Sequence, residues 1–221
     1  MDIIDNISVS FRYATEGLVG KWGKWILLII GSIIFPLIMG YTLRVMKGIT
    51  PAPEADNLGG MFIDGIKVLI INIVYMIIPC IIGLVLFVLS GGFGSLTMAG
   101  MDVTNLSAFL GLLMGTLGIS ILIFLIFAFL FGLFEIIGII RFARTGKMGS
   151  AFEFGEILSQ IGSIGWGSYI ISLIVFGIVI MVIEIILGVI PVIGWLLNLI
   201  LAPYLSIVGG RYYSLLYDSV A

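Results

Sequence analysis

The sequence predicts an all-α protein: a polytopic membrane helix bundle of four to five membrane-spanning helices plus interfacial amphipathic helices, forming a single membrane-embedded domain over residues 1–221. Three observations carry this reading. Hydrophobic residues make up 61% of the chain and charged residues 10%, against about 25% charged in soluble domains, so the polar surface of a soluble fold is missing. Four runs carry no charge: Val68 to Met101, Val103 to Phe134, Ile157 to Ile183 and Ile185 to Gly210. Each exceeds the roughly 20 apolar residues that a spanning helix needs. Between the runs lie short stretches whose apolar residues recur every three or four positions, the mark of an amphipathic helix.

The elements follow in order. Residues 1–24 hold an apolar stripe of Ile4, Ile7, Phe11, Ala14, Leu18 and Trp22, continuing to Trp25. Asp5, Asn6, Ser8, Arg12 and Glu16 mostly fall off it. Tryptophans at the end of such a helix suit the membrane interface; packing on the protein's own cytoplasmic face is the equal alternative. The polar, acidic start has no signal-peptide pattern, so the first apolar stretch is expected to act as its own insertion signal. Segment 1 is Trp25 to Met46 and segment 2 is Lys67 to Leu89. A glycine-rich turn at 90–94 leads into a loop through Asn105. Segment 3, Leu106 to Phe142, would be about 55 Å long at 1.5 Å per residue, far more than a hydrocarbon core of about 30 Å. A break or strong tilt is expected near Gly111, Gly115 and Gly118. Segment 4 is Trp166 to Ile190, a tight turn spans 188–194 around Pro191, and segment 5 is Trp195 to Tyr213.

Lysine and arginine orient the chain, since they concentrate in cytoplasmic loops. Arg44, Lys47 and Lys67 flank the connection 46–66; Arg141, Arg144 and Lys147 follow segment 3; Arg211 lies near the C-terminus. The connections 90–105 and 188–194 have none. The first three places are therefore expected to be cytoplasmic and the last two external, in a multi-pass protein of the cell membrane. Arg12, Lys21 and Lys24 precede segment 1. If that segment crosses once, they lie outside, against the rule. If it dips in and returns, all ten basic residues lie inside. Gly31, Ser32 and Pro36 near its middle allow a re-entrant hairpin, because proline breaks helical hydrogen bonding. A Pro-kinked crossing of 22 residues remains open.

Two stretches resemble each other at an offset of 97, which makes residues 25–89 and 106–190 candidate repeats. Gly40-Tyr-Thr-Leu-Arg44-Val-Met-Lys47 aligns with Ile137-Gly-Ile-Ile-Arg141-Phe-Ala-Arg144, each a helix exit closed by a basic i, i+3 pair. Each exit precedes an amphipathic stretch. The first carries Leu58, Met61, Phe62 and Ile66 on one face, with Glu54, Asp56, Asn57 and Asp64 elsewhere. The second carries Phe154, Ile157, Leu158, Ile161 and Ile164, with Glu153, Glu156 and Gln160 elsewhere. Arg211 echoes the exit a third time. The alternative is that the positive-inside rule alone repeats basic exits.

The run Lys21-Trp22-Gly23-Lys24-Trp25, the exit Pro36…Gly40-Tyr41…Arg44 and the entry Phe62-Ile-Asp64-Gly65-Ile-Lys67 resemble a mainly archaeal membrane family, domain of unknown function 4013. The resemblance covers most of the chain. It implies a multi-pass membrane protein and brings no catalytic residues to carry over.

Histidine is absent and Cys80 is the only cysteine. That removes histidine-based triads, histidine metal sites and an internal disulfide. No P-loop is present. No enzyme activity, metal or cofactor is expected, nor a nucleic-acid partner. The deep polar residues are the candidates for chemistry, because intramembrane carboxylates are costly. Counting depth from each turn puts Asn72, Tyr75 and Glu135, with Tyr169, near the inner face, and Glu184 with Asn198 near the outer. They read either as an ion or solute path or as interhelical packing glue, the second being favoured. Lys21, Lys24, Arg44, Lys47, Arg141, Arg144, Lys147 and Arg211 are candidate lipid-headgroup contacts. The expected function is a non-enzymatic accessory, scaffold or lipid-interacting membrane protein, with membrane lipids as partners and a second copy or another membrane protein as further candidates. The alternative is a small-solute, ion or proton transporter or channel.

Overall fold

A computed structural model describes residues 2–91, 106–190 and 193–220. They contain eight α-helices: α1 (Ile3–Leu18), α2 (Trp22–Ile33), α3 (Phe35–Met46), α4 (Leu58–Leu89), α5 (Leu106–Thr145), α6 (Phe154–Ile164), α7 (Trp166–Gly188) and α8 (Ile193–Asp218), with a 3₁₀ turn at Met148–Phe152. The fold is all-helical. Four helical stretches are long and apolar enough to cross a membrane: Leu58–Leu89, Gly118–Thr145, Trp166–Gly188 and Ile193–Asp218. Only 17–28% of the residues in their most apolar windows are buried. Lipid, rather than protein, is the natural cover for the remaining isoleucines and leucines. The chain divides into two compact units, residues 1–71 with 136–221, and residues 72–135; α4 and α5 each run from one into the other.

In the first unit, segment 1 is not one helix. It breaks at Ile34 (φ −91°, ψ 78°) into α2 and α3, of 12 residues each. Pro36 sits in the first turn of α3, where its missing N–H would have had no helical partner anyway. The two helices fold back on each other. A Cβ on Gly31 would lie 3.5 Å from Leu37 Cβ, Lys24 reaches the Tyr41 ring, and Lys21 and Lys24 both reach Glu54 beyond the end of α3. The hairpin packs on α8. Trp25 Nε1 donates to the Ile200 carbonyl (2.9 Å), and Gly210 lies against Thr42 and Val45. Its tip is apolar and exposed at Ile33, Ile34 and Phe35.

α1 also packs against α8. Ser10, Tyr13, Ala14, Gly17 and Leu18 are buried, Thr15 shares a hydrogen bond with Tyr204 (3.0 Å), and the Tyr204 hydroxyl donates to the Phe11 carbonyl. Of the apolar stripe read from the sequence, Ala14 and Leu18 are fully covered by protein, while Ile4 and Trp22 remain exposed.

Several expected boundaries move. The stretch 58–66 is not a separate interfacial helix; it continues into segment 2 as α4. Its counterpart α6 is separate, because the chain turns at Gly165 with φ +90°, a backbone state that favours glycine. The aligned residue in α4 is Val68, in unbroken helix. Segment 3 does not break at Gly111, Gly115 or Gly118: α5 is one helix of 40 residues. A glycine inside a helix costs only about 1 kcal/mol relative to alanine, too little to force a break where every backbone hydrogen bond would be lost to lipid. Segments 4 and 5 appear as α7 and α8, the latter extending five residues past Tyr213. The tip of their turn, Pro191 and Val192, lies outside the described residues, as does the loop 92–105. The turn is tight, for a Cβ on Gly194 would fall 2.0 Å from the Leu187 carbonyl.

Two glycines set the closest helix contact in the first unit. A Cβ on Gly40 of α3 would lie 1.8 Å from the Met61 carbonyl, and one on Gly65 of α4 would lie 1.7 Å from the Pro36 carbonyl. Backbone therefore meets backbone at two points along one crossing. The Gly111…Gly115 pair, by contrast, has nothing within 4 Å among the described residues, so it is not the packing face that a GxxxG pattern suggests. Alanine at Gly40 or Gly65 should cost at least about 3 kcal/mol, the upper end of the usual overpacking range, read as a lowered thermal midpoint of the purified protein. Gly115→Ala should be neutral, or stabilising by up to about 1 kcal/mol.

Candidate functional site

The polar chemistry of the first unit gathers where its helices exit. All ten lysines and arginines belong to this unit. At the end of α3, Arg44 Nη1 donates to Asp56 Oδ1 (2.7 Å) and to the Asp56 carbonyl (2.9 Å). At the end of α5, Arg141 donates to Glu153 and to the Ser150 carbonyl, with Glu156 3.7 Å away. Each arginine thus grips a carboxylate twelve residues on, just before the next helix begins. The two pairs are related by the same offset of 97 that relates the sequences. The likeness therefore extends from the basic exit to the carboxylate that follows it.

A second arginine cluster ties the exits together. Arg144 Nε donates to the Met46 carbonyl (3.0 Å); its Nη2 donates to Ser214 Oγ (2.9 Å) and Asp218 Oδ2 (2.7 Å). Arg211 donates to the Gly48 carbonyl (3.3 Å) and stacks on the Tyr13 ring, 4.8 Å from its centroid. The Tyr13 hydroxyl donates to the Ile49 carbonyl (2.7 Å). Burial pushes the Tyr13 phenol above its ordinary pKa, with Arg211 partly opposing. The turn 46–49 is thereby held from α1, α5 and α8 at once. Gly48 adopts φ +79° with the Arg144 guanidinium against it.

Of the eight candidate headgroup contacts, then, Arg44, Arg141, Arg144 and Arg211 are engaged by protein. Lys47 and Lys147 are exposed and have no carboxylate within 4 Å among the described residues. Lys21 and Lys24 share Glu54 at 3.7 and 3.9 Å. The Lys24 side chain is only 6% exposed, and its Nζ makes no hydrogen bond. Burial lowers the pKa of this ammonium, with Glu54 partly opposing and Lys21 adding to the effect.

The deep polar residues divide. In the first unit, Asn198 of α8 donates a hydrogen bond to the Glu184 carboxylate of α7, so these two share one level. Tyr169 is fully buried in the same helix pair, near Tyr213. In the second unit, Tyr75 is buried on α4 within electrostatic reach of Glu135 on α5, and Asn72 lies one turn before Tyr75, half-buried.

Some residues of this site escaped the sequence reading. Glu54, Asp56 and Glu153 were placed only as the polar sides of amphipathic stretches. Comparing carboxylates at the repeat offset would have found Asp56 and Glu153. Tyr13, Ser214 and Asp218 carry no local signal, since their partners are distant in sequence.

The fold and the polar face define a class: an all-helical protein with four helices able to span a membrane, a short helical hairpin that folds back at Ile34, and two arginine–carboxylate clamps of equal spacing. The family described as "Protein of unknown function (DUF4013)" matches residues 25–192, and the chain belongs to it. The match begins in the hairpin and ends in the α7–α8 turn, so α1 and the whole of α8 lie beyond it. No curated protein and no solved structure matches the chain.

Arg144→Ala should cost about 2–3 kcal/mol, because charge-assisted hydrogen bonds are lost and the Met46 carbonyl is stranded. Lysine should recover only part of this, since an ammonium lacks the fork that reaches three acceptors. Asn198→Leu should cost about 1–2 kcal/mol by removing the partner of Glu184, while Glu184→Gln, which can still accept from Asn198, should be nearly neutral. Thermal unfolding of the purified variants checks both.

Proposed function

We propose that the protein is a non-enzymatic, lipid-interacting membrane protein of accessory or scaffold type, seated in the cell membrane with its basic face in the cytoplasm. The observation that supports this is the α2–α3 hairpin. Each arm has 12 residues, about 18 Å at 1.5 Å per residue, which is little more than half of a hydrocarbon core of about 30 Å. The hairpin tip is apolar and exposed. Its base carries Lys21, Lys24, Arg44 and Lys47. Such an element enters one leaflet only, and its surroundings are acyl chains at the tip and headgroups at the base. The positive-inside rule places that base, the N-terminus and the C-terminus in the cytoplasm.

The second reading is a small-solute, ion or proton transporter, in which Glu135 beside Tyr75 would line a path. Internal partners for Glu184 favour the lipid reading, because a carboxylate held by Asn198 serves packing without any flux.

Two measurements test the proposal. In a Cys80→Ser background, single cysteines at Ser8 and Ser219 should both react with an impermeant reagent from the cytoplasmic side of sealed vesicles, and a nitroxide at Ile34 should report hydrocarbon depth. Labelling of the two sites from opposite sides would replace the hairpin by a single crossing. Proteoliposomes should show no proton or cation flux above empty vesicles, and the double variant Glu135→Gln/Glu184→Gln should behave identically. Flux that depends on either glutamate would establish the transporter reading instead.

A further inference from the structure

A small cavity opens between the start of α2 and the segment that leads into α4. It holds about 310 Å³ and is lined by Gly23, Lys24, Leu27, Glu54, Ala55 and Asp56. The charges around it are of both signs: Lys21 and Lys24 on one side, Glu54 and Asp56 on the other, with Arg44 already bound to Asp56. Lys24 stands out. Its side chain is only 6% exposed and faces Glu54 at 3.9 Å, too far for a hydrogen bond, and its Nζ has no hydrogen-bond partner at all. A buried ammonium without hydrogen bonds is costly, and methionine would fill the same volume at no such cost. Among the described residues the three N–H donors of Lys24 meet no acceptor within hydrogen-bond distance; the ammonium only lies over the Tyr41 ring, 5.6 Å from its centroid, whereas Arg44, Arg141 and Arg144 reach carbonyls and carboxylates.

We propose that this cavity binds a zwitterionic phosphate headgroup, the phosphate against Lys24 and Lys21 and the ammonium against Glu54 and Asp56. The proposal rests on the lipid-interacting reading and names the ligand class. A purely anionic headgroup would meet two carboxylates, and a cation would meet Lys24; a ligand with both charges meets neither conflict. The order of the groups also fits. In an aminophospholipid the phosphate lies nearer the acyl chains and the ammonium nearer water. Here the buried cation lies on α2, whose next turns run into the exposed apolar residues Ile26 and Ile30, while Glu54 and Asp56 are 65% and 79% exposed at the outer rim. Leu27 lines the cavity one turn beyond Gly23, where an acyl chain would start. Trp22 and Trp25 stack beside it, 5.6 Å apart, at the level tryptophan favours, the headgroup layer. The second repeat has no such site, because the positions aligned with Lys21 and Lys24 are Gly118 and Ile121.

The full chain in nanodiscs of equimolar phosphatidylethanolamine and phosphatidylglycerol gives the test. Lipid that stays bound on release from the disc is read by native mass spectrometry. The wild type should retain the ethanolamine lipid at least about fivefold over the glycerol lipid, equivalent to about 1 kcal/mol at 1.4 kcal/mol per tenfold. Lys24→Met, which removes the phosphate contact, should lower retention of the ethanolamine lipid at least about fivefold while leaving the thermal midpoint unchanged or higher. Glu54→Gln, at a carboxylate 65% exposed and outside the Arg44–Asp56 clamp, should shift retention toward the anionic lipid. Equal retention of both lipids by the wild type, unchanged retention in Lys24→Met, or an unchanged preference in Glu54→Gln would overturn the proposal. Soluble O-phosphoethanolamine and inorganic phosphate are titrated in parallel with detergent-purified protein. Stabilisation by free phosphoethanolamine alone, without lipid retention, would identify a soluble zwitterion as the ligand and overturn the lipid source. The Ile34 depth measurement is independent of all these arms, so loss of headgroup preference with the hairpin still in the hydrocarbon would fail this proposal and not the broader one.

Discussion

Arg144 holds three separate pieces of chain in one place. Its guanidinium takes the last carbonyl of α3 at Met46, the Ser214 hydroxyl and the Asp218 carboxylate, and it leans on the Tyr217 ring. Arg211 does the same for the next turn, at Gly48 and Tyr13. Hydrophobic burial cannot do this work in a bilayer, where lipid is as apolar as the side chains that face it. What remains is close packing and charge-assisted hydrogen bonding at the rim, where water thins out and each bond counts for more. The exits of α3, α5 and α8 are fixed there, and the directions of the helices behind them follow.

The hairpin depends on that anchoring. At the exposed turn the Ile34 N–H still donates to the Ile30 carbonyl (3.1 Å) and its carbonyl accepts from the Leu37 N–H (2.8 Å), so the break leaves its backbone paired where little protein covers it. Two contacts hold the arms. α8 lies along both arms, and α3 meets α4 with bare backbone at Gly40 and Gly65. Neither contact would survive rotation of α3, and the clamp from Arg44 to Asp56 prevents rotation by tying its last turn to the start of α4. Glycine contact and salt bridge are therefore one device, at the two ends of the same helix pair.

Much of this was legible in the sequence, for physical reasons that differ between parts. The spanning helices announce themselves because lipid demands long uncharged runs. The level shared by Glu184 and Asn198 follows from counting outward from a tight turn, which works because helical rise is constant. The hairpin was only half legible. Pro36 marked a discontinuity and the basic residues before segment 1 argued for a return, but the break itself falls at Ile34, whose identity carries no signal. The expected break in α5 failed because glycines were read as breakers, whereas in lipid an unbroken hydrogen-bond ladder outweighs their weak helix propensity. The clamps were seen as basic exits without their carboxylates, since a partner twelve residues away follows no helical or strand period. The protein partners of Arg144 and Arg211 were not legible, because two of them, at Met46 and Gly48, are carbonyls, which every residue has and no sequence pattern displays, and Ser214 and Asp218 lie 70 and 74 residues away.

The duplicated clamp also bears on how the two halves could differ so widely and still share a face. In the first copy the outgoing helix is one short arm of a hairpin and the incoming helix is straight for 32 residues. In the second, the outgoing helix runs 40 residues and the incoming one is divided at Gly165 into α6 and α7. Only the link from arginine to carboxylate keeps its spacing. A clamp of twelve residues fixes where a helix leaves and where the next begins, but it places no constraint on length beyond either point. Insertion depth and helix continuity could then diverge without disturbing the rim. Lys21 and Lys24 enter from α2 beside Glu54 and Asp56 at the hairpin base, whereas the positions 97 residues on are Gly118 and Ile121, which carry no charge.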